Sequence, residues 1–156
     1  MIIRQARPLD AGAMADLLNE IIAIGGTTAH QTPVTAGDVR QFHIDGPEVL
    51  CAVVAEEGGQ VVGWQSVEVW AGEAHIGTFV QPALQARGVG LAMFGLTRDL
   101  VAKAGVRSII AFIRADNASG LAFYARAGFV DYGHDPCFAL NDGRVVGRVH
   151  RRFDLG

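Results

Sequence analysis

Three observations point to a mixed α/β (α+β) fold with a central, mostly antiparallel sheet, one parallel strand pair and flanking helices. β-rich runs separated by turn residues fill the middle of the chain, and two longer stretches carry apolar residues at helical spacing. A strand–helix–strand unit follows the hairpins, and its two strands should be parallel with a right-handed connection. Half of the 156 residues are hydrophobic, enough for one core, so a single domain over residues 1–156 is expected.

Residues 2–7 read as a first strand, stopped by Pro8. Asp10 is placed to cap a helix in which Met14, Leu17, Leu18, Ile21 and Ile22 share a face, and Gly25 and Gly26 end it. A polar loop over 26–35 follows. Thr35 then caps a short helix to about His43, with Asp38 at the capping-box position. Strands over 50–56, 61–70 and 74–80 are divided by turns at Gly58-Gly59 and Ala71-Gly72. A helix over 88–104, a strand over 106–113 and an Asn117-capped helix to Ala127 come next. Strands over 129–134 and 145–155, split by Asn141-Asp142-Gly143, close the chain.

Composition excludes several classes. Net charge is −3, and the one basic cluster, Arg148 to Arg152, alternates with Val149 and His150 as a strand face would, so no nucleic-acid partner is expected. No window approaches the roughly 18 apolar residues of a membrane span, and residues 1–8 do not read as a signal peptide. Cys51 and Cys137 lack metal-site spacing and read as reduced thiols of a cytoplasmic protein. His30, His43, His75, His134 and His150 lack the paired spacing of a zinc site, so no metal is expected.

The most informative stretch is Gln85-Ala86-Arg87-Gly88-Val89-Gly90. A strand ends at Val80, Pro82 forbids its continuation, and a helix begins near Gly88. Glycines at a helix start let backbone approach a ligand, and the unpaired amides and helix dipole there favour a phosphate or pyrophosphate. A Walker loop would need Lys-Ser/Thr after the glycine, where Leu91-Ala92 stand. A dinucleotide fingerprint would need Gly or Ala where Met93 stands and a strand directly before the loop.

This segment resembles the pyrophosphate-binding motif of the GNAT (GCN5-related) N-acetyltransferase superfamily, Gln/Arg-x-x-Gly-x-Gly/Ala, through Gln85, Gly88 and Gly90. Val80 and Pro82 before it, and Asn117, Tyr124, Gly128 and Phe129 after it, also match, and the element order fits over essentially the whole chain. The resemblance implies a GNAT-type fold with acetyl-CoA as cosubstrate, its pyrophosphate on Gln85, Ala86, Arg87, Gly88, Val89 and Gly90. The pantetheine arm would lie beside Phe79 and Val80, a backbone N–H near Val80 would polarise the acetyl carbonyl, and Asn117 would bond the arm. Tyr124, two helical turns from Asn117 and so on the same face, would protonate the departing thiolate.

Residues 19–33 with the Thr35-capped helix resemble, more loosely, the phosphinothricin acetyltransferase branch. This implies direct acetyl transfer to the primary amine of a small, amino-acid-like substrate. In that branch a glutamate on the strand before the motif is the base, and His75 stands at the matching position here. Glu73 is the alternative if the register slips by two, and Glu20 or His30 if the acceptor loop folds over the site. Trp64 and Trp70 read as core or pocket lining. A non-enzymatic acyl-CoA sensor and a protein or peptide N-acetyltransferase are the competing readings; the family also allows a homodimer through the C-terminal strands.

Overall fold

The structure, a computed structural model, describes residues 1–28 and 30–156. Ala29, within the polar loop expected over 26–35, lies outside the described residues. The strands are β1 (Ile2–Gln5), β2 (Val49–Glu57), β3 (Gln60–Trp70), β4 (Glu73–Val80), β5 (Ser108–Arg114), β6 (Val130–Ala139) and β7 (Val145–Asp154). The helices are α1 (Ala11–Ile24), α2 (Ala36–Val39), α3 (Val89–Lys103) and α4 (Ala118–Ala127). One sheet forms in the order β1-β2-β3-β4-β5-β7-β6, and only β4 and β5 pair in parallel. The expected element order and the single parallel pair are therefore present.

Local chemistry explains the boundaries and three departures from expectation. Thr35 and Asp38 form the expected capping box, each side chain accepting the other's backbone N–H at 3.0 Å. The helix they start widens into a π turn over Arg40–Ile44 instead of continuing regularly. Asp10 occupies the α1 cap position, but its carboxylate accepts from Arg4 (2.8 and 2.9 Å) and from the Arg7 amide (2.7 Å) rather than from the helix. The strand expected over 129–134 runs on to Ala139 despite Pro136. β6 is an edge strand, where a missing N–H costs no ladder bond, and its register shifts between Asp135 and Phe138.

Alternation along β2, β3 and β4 divides the core between the two sheet faces. Val54, Trp64 and Phe79 pack with Met14 and Leu18 of α1, while Val53 and Ala55 pack with Val89 and Met93 of α3. Trp64 is fully buried and donates its indole N–H to the Met14 carbonyl at 3.0 Å, so it is core. Cys51 and Cys137 are both free thiols, the first buried and the second exposed. No helix among the described residues is long and apolar enough to cross a membrane.

One irregularity frames everything that follows. β4 and β5 hold a parallel register only at Ala74–Ile109 and His75–Ile110, so the strands part from Ile76 onward. The Gln81 amide donates to Val62 of β3, at 2.8 Å. Alternation in an antiparallel ladder then turns the N–H and C=O groups of Thr78 and Val80 away from β3, into the gap that β5 leaves.

Candidate active site

A cleft of about 350 Å³ occupies the gap between β4 and α4 and opens on the start of α3. Thr78, Phe79 and Val80 form one wall, and Asn117, Phe123 and Tyr124 form the other. Gln85, Ala86, Gly88, Val89 and Gly90 close one end. Arg87 is exposed beside that turn, and the arginine lining the cleft is Arg126, which the sequence reading did not single out.

The turn is shaped by two left-handed residues, Ala86 (φ 66°) and Gly88 (φ 81°). Such a conformation suits glycine but costs an alanine about 1 kcal/mol, so the loop stores some strain. The first bond of α3 runs from the Ala92 amide to the Gly88 carbonyl, at 3.0 Å. The amides of Val89, Gly90 and Leu91 therefore precede any intrahelical partner and converge at the positive end of the helix dipole. Gly90 has a further reason to be glycine. A Cβ there would stand 2.7 Å from Cε1 of Phe123, so its absence lets α3 and α4 meet, in addition to freeing the turn.

Asn117 caps α4 by accepting the Gly120 amide at 3.0 Å, and its Nδ2 donates to the Thr27 carbonyl at 2.9 Å. Arg114 donates to the next carbonyl, Thr28, at 3.2 Å, so the loop after α1 is pinned to the cleft from two sides. Tyr124 is buried, and its hydroxyl lies 2.9 Å from Thr78 Oγ1. Burial pushes the phenol up to about 12, against a lowering from the Thr78 bond. Thr78 also accepts from Gln65 Nε2 at 3.2 Å, and Gln65 in turn accepts from Thr97 at 2.7 Å. This chain of polar groups was missed in the sequence because its members come from β3, β4, α3 and α4.

On the opposite face of β4 lies a second pocket of about 550 Å³, bordered by Gly77, the residue before the Thr78–Val80 wall of the cleft. His30, His43 and His75, with Glu48, Glu68 and Trp70, line it. His75 lies flat on Trp70, ring centroids 3.6 Å apart, with its edge toward Phe112 at 5.1 Å, and its Nε2 has no hydrogen-bond partner among the described residues. Burial lowers its pKa, against smaller raising effects from Glu73 and the Trp70 carbonyl. His30 is lowered as well, by burial and then by the proximity of His43. Glu73 is exposed at the start of β4, and Glu20 borders a separate groove with Arg4 and Asp16. Trp70, half-exposed, is the tryptophan that reaches this pocket.

Comparison with known proteins agrees with this geometry. The acetyltransferase (GNAT) family profile matches residues 15–129. A candidate phosphinothricin acetyltransferase of Bacillus subtilis (strain 168), YwnH, is 30% identical over 162 aligned positions, covering 99% of this chain and 95% of that one. A crystal structure of a candidate phosphinothricin N-acetyltransferase superposes with TM-score 0.84 at 27% identity, covering 99% and 98% of the two chains. The fold is also that of a GNAT-superfamily phosphinothricin acetyltransferase from Sinorhizobium meliloti in complex with acetyl-CoA (TM-score 0.83, 19% identity, 99% of this chain and 88% of that one). The profile spans more than half of the sequence and the Bacillus subtilis relative nearly all of it, so the chain belongs to the GNAT acetyltransferase family.

Proposed function

We propose that the protein transfers the acetyl group of acetyl-CoA directly to the primary amine of a small substrate. The observation that carries this reading is the open gap between β4 and β5, flanked by a helix start with free amides. Extended ligand backbone can add to the Thr78–Val80 edge as a missing strand, while the amides of 88–91 take pyrophosphate. Arg126 adds charge at the cleft, and Arg87 does so from the exposed side of the turn. Asn117, anchored by its cap, borders the arm.

Chemistry follows from the walls. The Val80 N–H, aimed into the gap, polarises the thioester carbonyl toward the transition-state oxyanion. Tyr124 keeps its proton at neutral pH and gives it to sulfur as the C–S bond breaks. Thr78 can then donate its own O–H to the phenolate, because Gln65 already supplies a proton to its oxygen. The amine's proton leaves into the second pocket, whose titratable groups include His75 on β4 itself, with His30, His43 and Glu68 around it.

The relatives named for phosphinothricin support an amino-acid-like acceptor. A specific observation favours a second reading, an amine with no anionic tail. The pocket is lined by Asp38, Glu48 and Glu68, and by no Lys or Arg among the described residues. A thiol-release assay with acetyl-CoA and a panel of amino acids, their methyl esters, diamines and short peptides separates these readings. Faster turnover of the free amino acids supports the first, and preference for esters or diamines the second. Absence of thiol release with every amine overturns the proposed reaction.

A further inference from the structure

His43 sits in the second pocket on the π turn after α2, and its Nδ1 lies 2.5 Å from Glu68 Oε1. Ser66 gives its one proton to the same carboxylate, at 3.0 and 3.2 Å. With Ser66 so engaged, its 3.0 Å contact with His43 adds no competing donor to Nδ1. Glu68 therefore holds the proton of His43 on Nδ1 and leaves Nε2 with a bare lone pair. The ring is fixed edge-on between Trp64 (5.1 Å) and His30 (5.7 Å), and both its side chain and that of Glu68 are largely buried. A histidine with its tautomer set by a carboxylate, facing a cavity, is a built proton acceptor.

Its position relative to the cleft is equally telling. In the β3–β4 register Ser66 lies opposite Gly77, whereas Glu68 lies opposite His75. Gly77 leaves room for the ring of Phe79, which a Cβ there would meet at 3.2 Å, and Phe79 in turn borders the cleft. His75 stands two residues farther from the cleft, about 7 Å along the strand, and its ring is spent on Trp70. His30, the other ring beside His43, carries no hydrogen-bonded carboxylate among the described residues.

We propose that His43, oriented by Glu68, is the general base of the acetyl transfer. This rests on the acetyltransferase reading above. An N–H bond of the acceptor's ammonium breaks, the proton bonds to His43 Nε2, and the freed lone pair attacks the thioester carbonyl. The C–S bond breaks with Tyr124's proton passing to sulfur, and the phenolate regains a proton from the second N–H of the acylated nitrogen. His43 passes its proton to solvent, so the net products are amide, thiol and one proton. Glu68 stabilises the imidazolium, acting as a positioning residue. The charged groups facing His43 are Glu68 from β3, His30 from the loop after α1, His75 from β4, and Asp38 and Glu48 from the pocket wall. Arg40 of its own turn is bound to Asp45 at 2.7 Å.

The test follows thiol release with acetyl-CoA and the panel amine that wild-type protein turns over fastest, from pH 5.5 to 9.5. Wild-type kcat/KM for the amine should rise with pH and level off. His43→Gln should flatten that limb and lower kcat by about 10²-fold or more, with acetyl-CoA affinity by calorimetry unchanged. Glu68→Gln should keep the limb with a smaller loss of kcat, and imidazole should restore part of the rate to His43→Ala. Wild-type turnover with an unaltered profile in His43→Gln overturns the dyad alone, as does a flattened limb in His75→Gln with His43→Gln normal. Wild-type protein releasing no thiol with any amine overturns the acetyltransferase reading and the dyad with it.

Discussion

The Tyr124 hydroxyl and Thr78 Oγ1 meet at 2.9 Å across the cleft, so the side chain that holds the acid and the strand that offers its backbone to the ligand are joined by one hydrogen bond. Tyr124→Phe should lower turnover about 10²-fold or more while leaving acetyl-CoA affinity near wild type. Thr78→Val removes the partner but not the acid. It should cost less in turnover, about tenfold, because the phenolate loses a donor. Steady-state kinetics of the two variants check the ordering, and a Thr78→Val loss as large as that of Tyr124→Phe would contradict it.

Gly88 and Gly90 should separate binding from folding. Gly88 has a left-handed φ of 81° with open space around its missing Cβ, so Gly88→Val strains the turn without a clash. At about 1–2 kcal/mol for a side chain in that region, acetyl-CoA affinity should fall roughly tenfold by calorimetry. Gly90→Ala instead drives a methyl into the Phe123 ring. It should lower stability by about 1–3 kcal/mol in a urea melt.

Asn117→Ala removes the α4 cap and the tether to Thr27 together. The loss of the cap alone should cost about 1 kcal/mol. Hydrogen exchange should speed up in residues 25–28 as well as in the first turn of α4, and a change confined to α4 would mean that Arg114 suffices to pin the loop.

Stability should fall below neutral pH because of three histidines. His30, His75 and His150 all have folded pKa values below their ordinary 6.5, so below that value the unfolded chain binds more protons than the folded one. Their contribution is complete above pH 6.5 and is lost as pH falls through the folded values. The melting temperature should drop between pH 7 and 5, and the triple variant His30→Gln, His75→Gln, His150→Gln should flatten that part of the curve. The Arg4–Asp10 pair acts in a separate window, since Asp10 is lowered from 3.8 by its bond to Arg4 and loses its contribution only in stronger acid.

The donor half of the proposed site was legible as one group because its determinants are contiguous. Gln85 to Gly90 is a single turn, and Asn117 and Tyr124 share one face of a short helix. The acceptor half was not, since His30, His43, Ser66, Glu68 and His75 come from a loop, a π turn and two strands that only tertiary pairing brings together. His75 was singled out by strand alternation, which gives a face but says nothing of the Trp70 ring lying on it. The π turn carrying His43 was hidden for a similar reason. It is followed by Gly46, where any Cβ would collide with the Gln41 carbonyl oxygen, a close approach that no local pattern announces.

The two-residue seam between β4 and β5 would make an arm bound in the gap a structural member of the protein. β5, β7 and β6 join the other four strands through that seam alone within the sheet. A ligand lying along Thr78–Val80 would fill the rungs that the polypeptide leaves out, knitting the two sheet sections where they are most weakly joined. Saturating coenzyme A should then raise the unfolding temperature, by mass action worth about 2.7 kcal/mol at a hundredfold excess over Kd. It should also slow amide exchange in β5 together with β4, although no residue of β5 lines the cleft. Turnover by the proposed reaction would then be a cycle of tightening and loosening, with every release of thiol reopening the seam.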